Sequence, residues 1–228
     1  VVIPVDMADE RAFTPARGKL PEFVVTVDTL LPVVEVLAPI VGEVFGAGHT
    51  TLIRWAAEDS HLAPGAIKIE LSVGGGSWVL LARDLANSGS YHWDIPRSSS
   101  ESYRLRVTAG DLAGNVGFDE CDAPFQVDGL APELRITGPS VATERPVKVE
   151  YVAHDLGGGG LRTVSLYLTR DNGTTWHFVG NDDDVASPIL LEELDGSYGL
   201  YLTATDALGN TSPSPASGTK PMASLVLD

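Results

Sequence analysis

The sequence predicts an all-β protein built as two antiparallel β-sandwiches in tandem. Three observations carry that expectation. Apolar and polar residues alternate with a period of two along run after run. Turn clusters such as "GGGS", "NSGS", "LGGGG" and "DNGTT" separate the runs. Long stretches of the first half return in the second: "SYRLRVTAGDLAGN" (Ser102–Asn115) comes back as "SYGLYLTATDALGN" (Ser197–Asn210). Strands ending in aspartate close at Asp28, Asp128 and Asp228, spaced by 100 residues, and about 100 residues make one sandwich. The expected units are therefore 29–128 and 129–228. Residues 1–28 read either as an extended tail or as the last hairpin of a preceding unit, with Asp9 in the place of Asp111 and Asp206.

Each unit opens on a proline-bounded apolar run, "PVVEVLAP" and "PELRITGP". In the next strand Ile53, Trp55 and Ala57 face one way, with Arg54 between them. Its counterpart turns Val147, Val149, Tyr151 and Ala153 inward and Lys148 and Glu150 outward. The following strand places Ile67, Ile69 and Leu71 inward and Lys68 and Glu70 outward; Val164, Leu166 and Leu168 are the second copy. These runs end at Trp78 and Trp176. In the repeated phrase Tyr103, Leu105, Val107 and Ala109 share a face, as do Tyr198, Leu200, Leu202 and Ala204. Strands with one wet and one apolar face belong to antiparallel sheets, and two such sheets stack in each unit. No stretch offers an amphipathic helix. The linkers "DTLLP" and "DGLAP" are short, and a proline just past each boundary stiffens it. Neighbouring units should stack end to end.

Composition narrows the function. Apolar residues make up 43%, enough for packed cores, and the formal charge is −16. Such a surface repels nucleic acid, which needs a basic patch. No run reaches the roughly 18 uncharged apolar residues of a spanning helix; the most apolar region is cut by Glu35, Glu43 and two prolines. Cys121 is the single cysteine, so an internal disulfide and a cysteine metal site are both excluded. The chain opens on Val1 and shows no signal peptide, which suggests a piece of a longer protein.

The pattern Tyr-x-Leu-x-Val-x-Ala at Tyr103–Ala109 resembles strand F of fibronectin type III and bacterial immunoglobulin-like domains. Trp55 lies where the fibronectin type III group carries a tryptophan. The resemblance covers about 200 residues at the level of module type. It implies a tyrosine corner at Tyr103 and Tyr198 and a hairpin tip at each Asp-x-x-Gly-Asn. Asp111, Gly114 and Asn115, with Asp206, Gly209 and Asn210, then read as turn chemistry, since glycine and asparagine tolerate positive φ. The competing reading, a calcium site, is short of the six to eight oxygens that ion takes.

Other candidates are local. "TRDNGTTW" (Thr169–Trp176) resembles an Asp-box, which implies that Asp171 braces a turn, Gly173 takes positive φ and Trp176 packs beneath. "NSGSYHWDIP" (Asn87–Pro96) resembles a segment of Kre9/Knh1-type cell-wall domains; Tyr91 and Trp93 are candidates for a sugar platform or for strand core. "NDDD" offers Asp182, Asp183 and Asp184 to a hard cation, or is a solvated acidic loop. Asp59 and Asp155 read as loop residues, and the histidines lack metal spacing.

The resemblance implies non-catalytic structural, adhesion or spacer modules of a larger secreted or surface bacterial protein, with no cofactor. Expected partners are neighbouring modules of the same polypeptide and an extracellular or cell-wall polysaccharide or protein; neither nucleic acid nor a membrane is expected. A carbohydrate-binding accessory region is the alternative, and a hydrolase a remote one.

Overall fold

A computed structural model of the chain describes residues 27–97, 101–193 and 195–228. The reading of residues 1–28 as tail or hairpin falls, except for Val27 and Asp28, outside the described residues. Among those described, the chain forms seventeen strands and no helix.

The first sandwich holds nine strands: β1 (Val33–Ala38), β2 (Val44–Gly46), β3 (Thr50–Glu58), β4 (Leu62–Val73), β5 (Val79–Leu85), β6 (Ser90–Asp94), β7 (Glu101–Asp111), β8 (Val116–Glu120) and β9 (Phe125–Asp128). One layer has the order β1-β3-β6; the other runs β2-β9-β7-β4-β5, with β8 also paired to β7. The second sandwich holds β10 (Glu133–Gly138), β11 (Val141–Ala142), β12 (Val147–His154), β13 (Leu161–Thr169), β14 (His177–Asp182), β15 (Ile189–Leu191), β16 (Gly196–Asp206) and β17 (Ala223–Leu227). Its layers are β10-β12-β15 and β11-β17-β16-β13-β14.

Alternation places the core. Ile53 and Trp55 on β3, Ile67 and Ile69 on β4, and Leu105 and Val107 on β7 are buried, and their neighbours in sequence are not. Val149 and Tyr151, Val164 and Leu166, and Leu200 and Leu202 fill the same places in the second sandwich. The two cores are separate: one draws on buried residues from Ile53 to Val127, the other on residues from Val147 to Leu227. Register is shared too. Trp55 stands opposite Val36 as Tyr151 stands opposite Ile136.

Two departures from a purely antiparallel plan recur. The chain leaves β1, crosses to the other layer and pairs β2 in parallel with β9; β11 pairs in parallel with β17 in the same way. The crossing strand and the last strand run in one direction, so only a parallel ladder can form between them. The last strand is also interrupted. Between β8 and β9 the buried Cys121 accepts the Leu105 N–H at its sulfur. In the second sandwich, Thr211 bridges to Thr205 and β17 resumes only at Ala223.

Candidate functional site at the module junction

Asp128 ends β9 and begins the linker. Its backbone carbonyl accepts the N–H of Ala47 from the first sandwich at 2.8 Å and the side-chain amide of Asn210 from the second at 3.3 Å. Its carboxylate accepts the Leu130 N–H at 2.9 Å and the Gly159 N–H at 3.1 Å. The residue is 0% exposed. The linker aspartate is thus gripped from both sides.

The grip is built by the repeated phrase. Asp206, also 0% exposed, accepts the backbone N–H groups of Leu208 and Asn210 at one carboxylate oxygen and the Asn210 side-chain amide at the other. That fixes the amide where it also reaches the linker carbonyl. Gly209 turns the tip at φ 92°. In the first sandwich Asp111 holds Asn115 through the same backbone and side-chain bonds, Gly114 sits at φ 91°, and the Asn115 amide reaches the carbonyl of Asp28 at 3.2 Å. These six residues shape their turns and do one thing more, because each asparagine holds the linker that enters its own sandwich.

The same end gathers acids. Asp128, Asp155 and Asp206 bring one ligand atom each within 4.8 Å of one another, and so do Asp28, Asp59 and His61 in the first sandwich. Among the described residues, these are the sets that could hold a metal ion. Their carboxylates are already engaged: Asp155 accepts the Gly157 and Gly160 N–H groups, and Asp28 accepts the Leu30 N–H and meets the His61 ring at 3.1 Å. Sequence reasoning takes Asp59 and Asp155 for loop residues and misses this gathering. The usable signal is the return of an aspartate at all three places, 28/128, 59/155 and 111/206.

The other candidates lie elsewhere. Trp93 is 2% exposed and sits among Tyr103 and Phe125, ring centroids 5.7 and 6.0 Å away. Tyr91, two residues back on β6, packs partly buried against the same core. The sugar-platform reading of Tyr91 and Trp93 is therefore corrected: Trp93 has no free ring face, because β6 closes the three-stranded layer over the core. Of the acids offered to a cation, Asp182 accepts the Tyr151 hydroxyl, Asp183 the Thr163 hydroxyl and Asp184 the Ala186 N–H, and the Asp182 and Asp184 carboxyls also face each other. Burial, with the negative charges of Asp182 and Asp184, pushes the Tyr151 phenol up. Tyr103 stacks on Phe125, and the Tyr198 hydroxyl meets the side chains of Arg170 and Glu193.

At the turn of Thr169–Trp176, Asp171 accepts the Thr175 N–H and the hydroxyls of Thr175 and Thr169. Gly173 lies at φ 92°, and Trp176 meets Tyr201 edge-on at 5.6 Å. A Cβ at Gly173 would fall 2.0 Å from the Thr219 carbonyl, so the hairpin seats directly on the segment between Thr211 and β17.

Two carboxyls make opposite pH predictions. The Thr175 N–H, then the Thr175 and Thr169 hydroxyls, hold Asp171 down to about 2. Its contribution is present above the ordinary value of 3.8 and is lost as pH falls toward about 2. Burial raises Asp128; the Leu130 and Gly159 N–H groups pull it back, and Asp155 and Asp206 push it up again. Protonation of Asp128 therefore favours the folded state, and that contribution fades as pH rises through its raised value. Carbon-detected NMR titration should place Asp171 below and Asp128 above the ordinary aspartate midpoint. Coincident midpoints would contradict the bonding described.

No known protein family matches the chain, and no curated protein matches it. Among solved structures it is similar to fibronectin(III)-like modules of Clostridium thermocellum CbhA: 19% identity, 79% of this chain and 90% of that one, TM-score 0.35. It is also similar to dimeric latent PorU from Porphyromonas gingivalis: 14% identity, 92% of this chain and 21% of that one, TM-score 0.27.

Proposed function

We propose that the chain is a pair of non-catalytic spacer modules in a larger secreted or cell-surface bacterial protein, with neighbouring modules of the same polypeptide as its partners. The observation that carries this reading is the linker aspartate held from both sides, with Ala47 on one and Asn210 on the other. A flexible tether needs no such bonds, whereas a spacer that sets distance does. The resemblance of the repeated phrase to fibronectin type III and bacterial immunoglobulin-like strands supports the extracellular setting. Small-angle scattering on the intact chain is the test. A curve described by one fixed arrangement of the two sandwiches is expected; one that requires a broad set of bend angles would remove the spacer reading.

A second reading, a carbohydrate-binding accessory region, has one observation in its favour. On the outer face of the first sandwich the Arg106 guanidinium lies 4.2 Å over the half-buried Trp78 ring and 5.1 Å from Phe118, which is 61% exposed. Glu120 accepts from the same guanidinium. Polysaccharide pull-down with wild type and Trp78→Ala separates the readings: the spacer reading expects no retention by either, and retention of wild type alone would favour the sugar site.

A further inference from the structure

We infer that Asp28, Asp59 and His61 form a binding site for a zinc-like divalent metal ion on the first sandwich. The site does not depend on the two sandwiches acting as a spacer.

The two sandwiches place equivalent acids beside different loops. Between β12 and β13 the loop is residues 155–160 and includes the run Gly157 to Gly160. Its backbone N–H groups turn onto the acids: Gly157 and Gly160 donate to the two oxygens of Asp155, and Gly159 donates to Asp128. Leu130 takes the other oxygen of Asp128, and Leu208 and Asn210 satisfy both oxygens of Asp206. Every carboxylate oxygen of that set therefore has an N–H donor, and the set has little left to offer a cation.

Between β3 and β4 the loop is only residues 59–61 and holds no glycine. It supplies one N–H to the acids, from His61 to Asp59 Oδ1 at 2.6 Å. Leu30 supplies another, to Asp28 Oδ1 at 3.1 Å. Among the described residues Asp59 Oδ2 has no hydrogen-bond partner, and Asp28 Oδ2 faces only the His61 ring, 3.1 Å from Nδ1. An imidazole thus stands where the second sandwich has glycine N–H groups. The Leu112 N–H fixes it by donating to the His61 carbonyl at 2.9 Å. In each carboxylate the bonded oxygen orients the other. One ligand atom from each of the three residues lies within 4.8 Å of the other two, and the His61 side chain is 53% exposed, so an ion has a way in.

The ligand types select the ion. Calcium takes roughly six to eight oxygens, more than this set holds. One imidazole and two carboxylates with solvent in the fourth place suit tetrahedral zinc. The bound ion would tie Asp28 to the β3–β4 loop, as the Gly159 N–H ties Asp128 to the β12–β13 loop. The imidazole must be neutral to bind, so protons compete with the metal.

The test is titration of the intact chain with zinc chloride, read by calorimetry and by the ring nitrogen NMR signals of its histidines. One equivalent should bind, shifting His61 and leaving His49, His92, His154 and His177 in place. His61→Ala should weaken binding by more than about tenfold, since even residues that only support a ligand are worth roughly 10–100-fold. Asp59→Asn, which keeps an oxygen for the His61 N–H, should weaken it as well. A flat calorimetric trace, zinc that shifts His154 in place of His61, or equal affinity in the wild type and both variants would overturn the inference and leave Asp28 and His61 as a hydrogen-bonded pair alone. The ring shifts of the wild type decide the matter even where a variant fails to fold.

Discussion

Trp93→Ala should destabilise the first sandwich and leave the second unchanged. The Trp93 ring packs against Tyr103 and Phe125 and is among the largest fully buried side chains of the chain. Truncating a buried tryptophan to alanine costs about 3–5 kcal/mol, a large share of the roughly 5–15 kcal/mol that holds a domain folded. No residue of the second core appears in the cluster around Trp93. In calorimetry one of two transitions should fall by more than about 10 °C while the other keeps its midpoint. A single transition that moves as a whole would mean that the cores are merged. A change below about 1 kcal/mol would mean that Trp93 is not buried as described.

Gly157→Ala should break the junction with a smaller loss of stability. Gly157 lies in the loop between β12 and β13, and a Cβ there would sit 1.7 Å from an Asp128 carboxylate oxygen and 1.9 Å from its carboxyl carbon. No rotation of an alanine relieves that overlap, so the loop must lift from the linker. Lifting takes the Gly159 N–H away from Asp128. Overpacking of this kind costs about 1–3 kcal/mol, and it should fall on the second sandwich and on the coupling between the two. Gly180→Ala on β14, where an added Cβ meets nothing within 4 Å, is the matched control; it should change stability by less than about 0.5 kcal/mol. Equal melting of the two variants would show that the Gly157 loop does not press on Asp128.

Much of the fold is legible in the chain because a strand with one wet face writes its burial as strict alternation. Ile67, Ile69 and Leu71 against Lys68 and Glu70 need no other information. The parallel pairs are not legible: β11 is Val141–Ala142, too short for any period to show. Nor is the break before β17, since "SPSPASGTKP" carries the proline and serine of an ordinary loop. Trp93 illustrates a limit of a different sort. In "SYHWD" the aromatics alternate correctly, but five residues do not say which face meets a core and which meets solvent. The candidate site is half legible. Asp-x-x-Gly-Asn announces a tight turn through its own local bonds. Its hold on Asp28 or Asp128 spans more than eighty residues, and no local pattern encodes a contact made at that distance. In the "NDDD" run the local pattern shows adjacent acids but not their distant donors, Tyr151 for Asp182 and Thr163 for Asp183.

Asn210 and the Gly157–Gly160 loop fasten the linker at Asp128, and on the spacer reading this makes two separate cores move as one body. Residual dipolar couplings measured on β1–β9 and on β10–β17 of the intact chain test that coupling most directly. Alignment tensors of equal magnitude and common orientation in the wild type, diverging in Gly157→Ala, are the expected result. Tensors that already differ in magnitude in the wild type would mean that the sandwiches tumble independently and that the bonds at Asp128 do not join them.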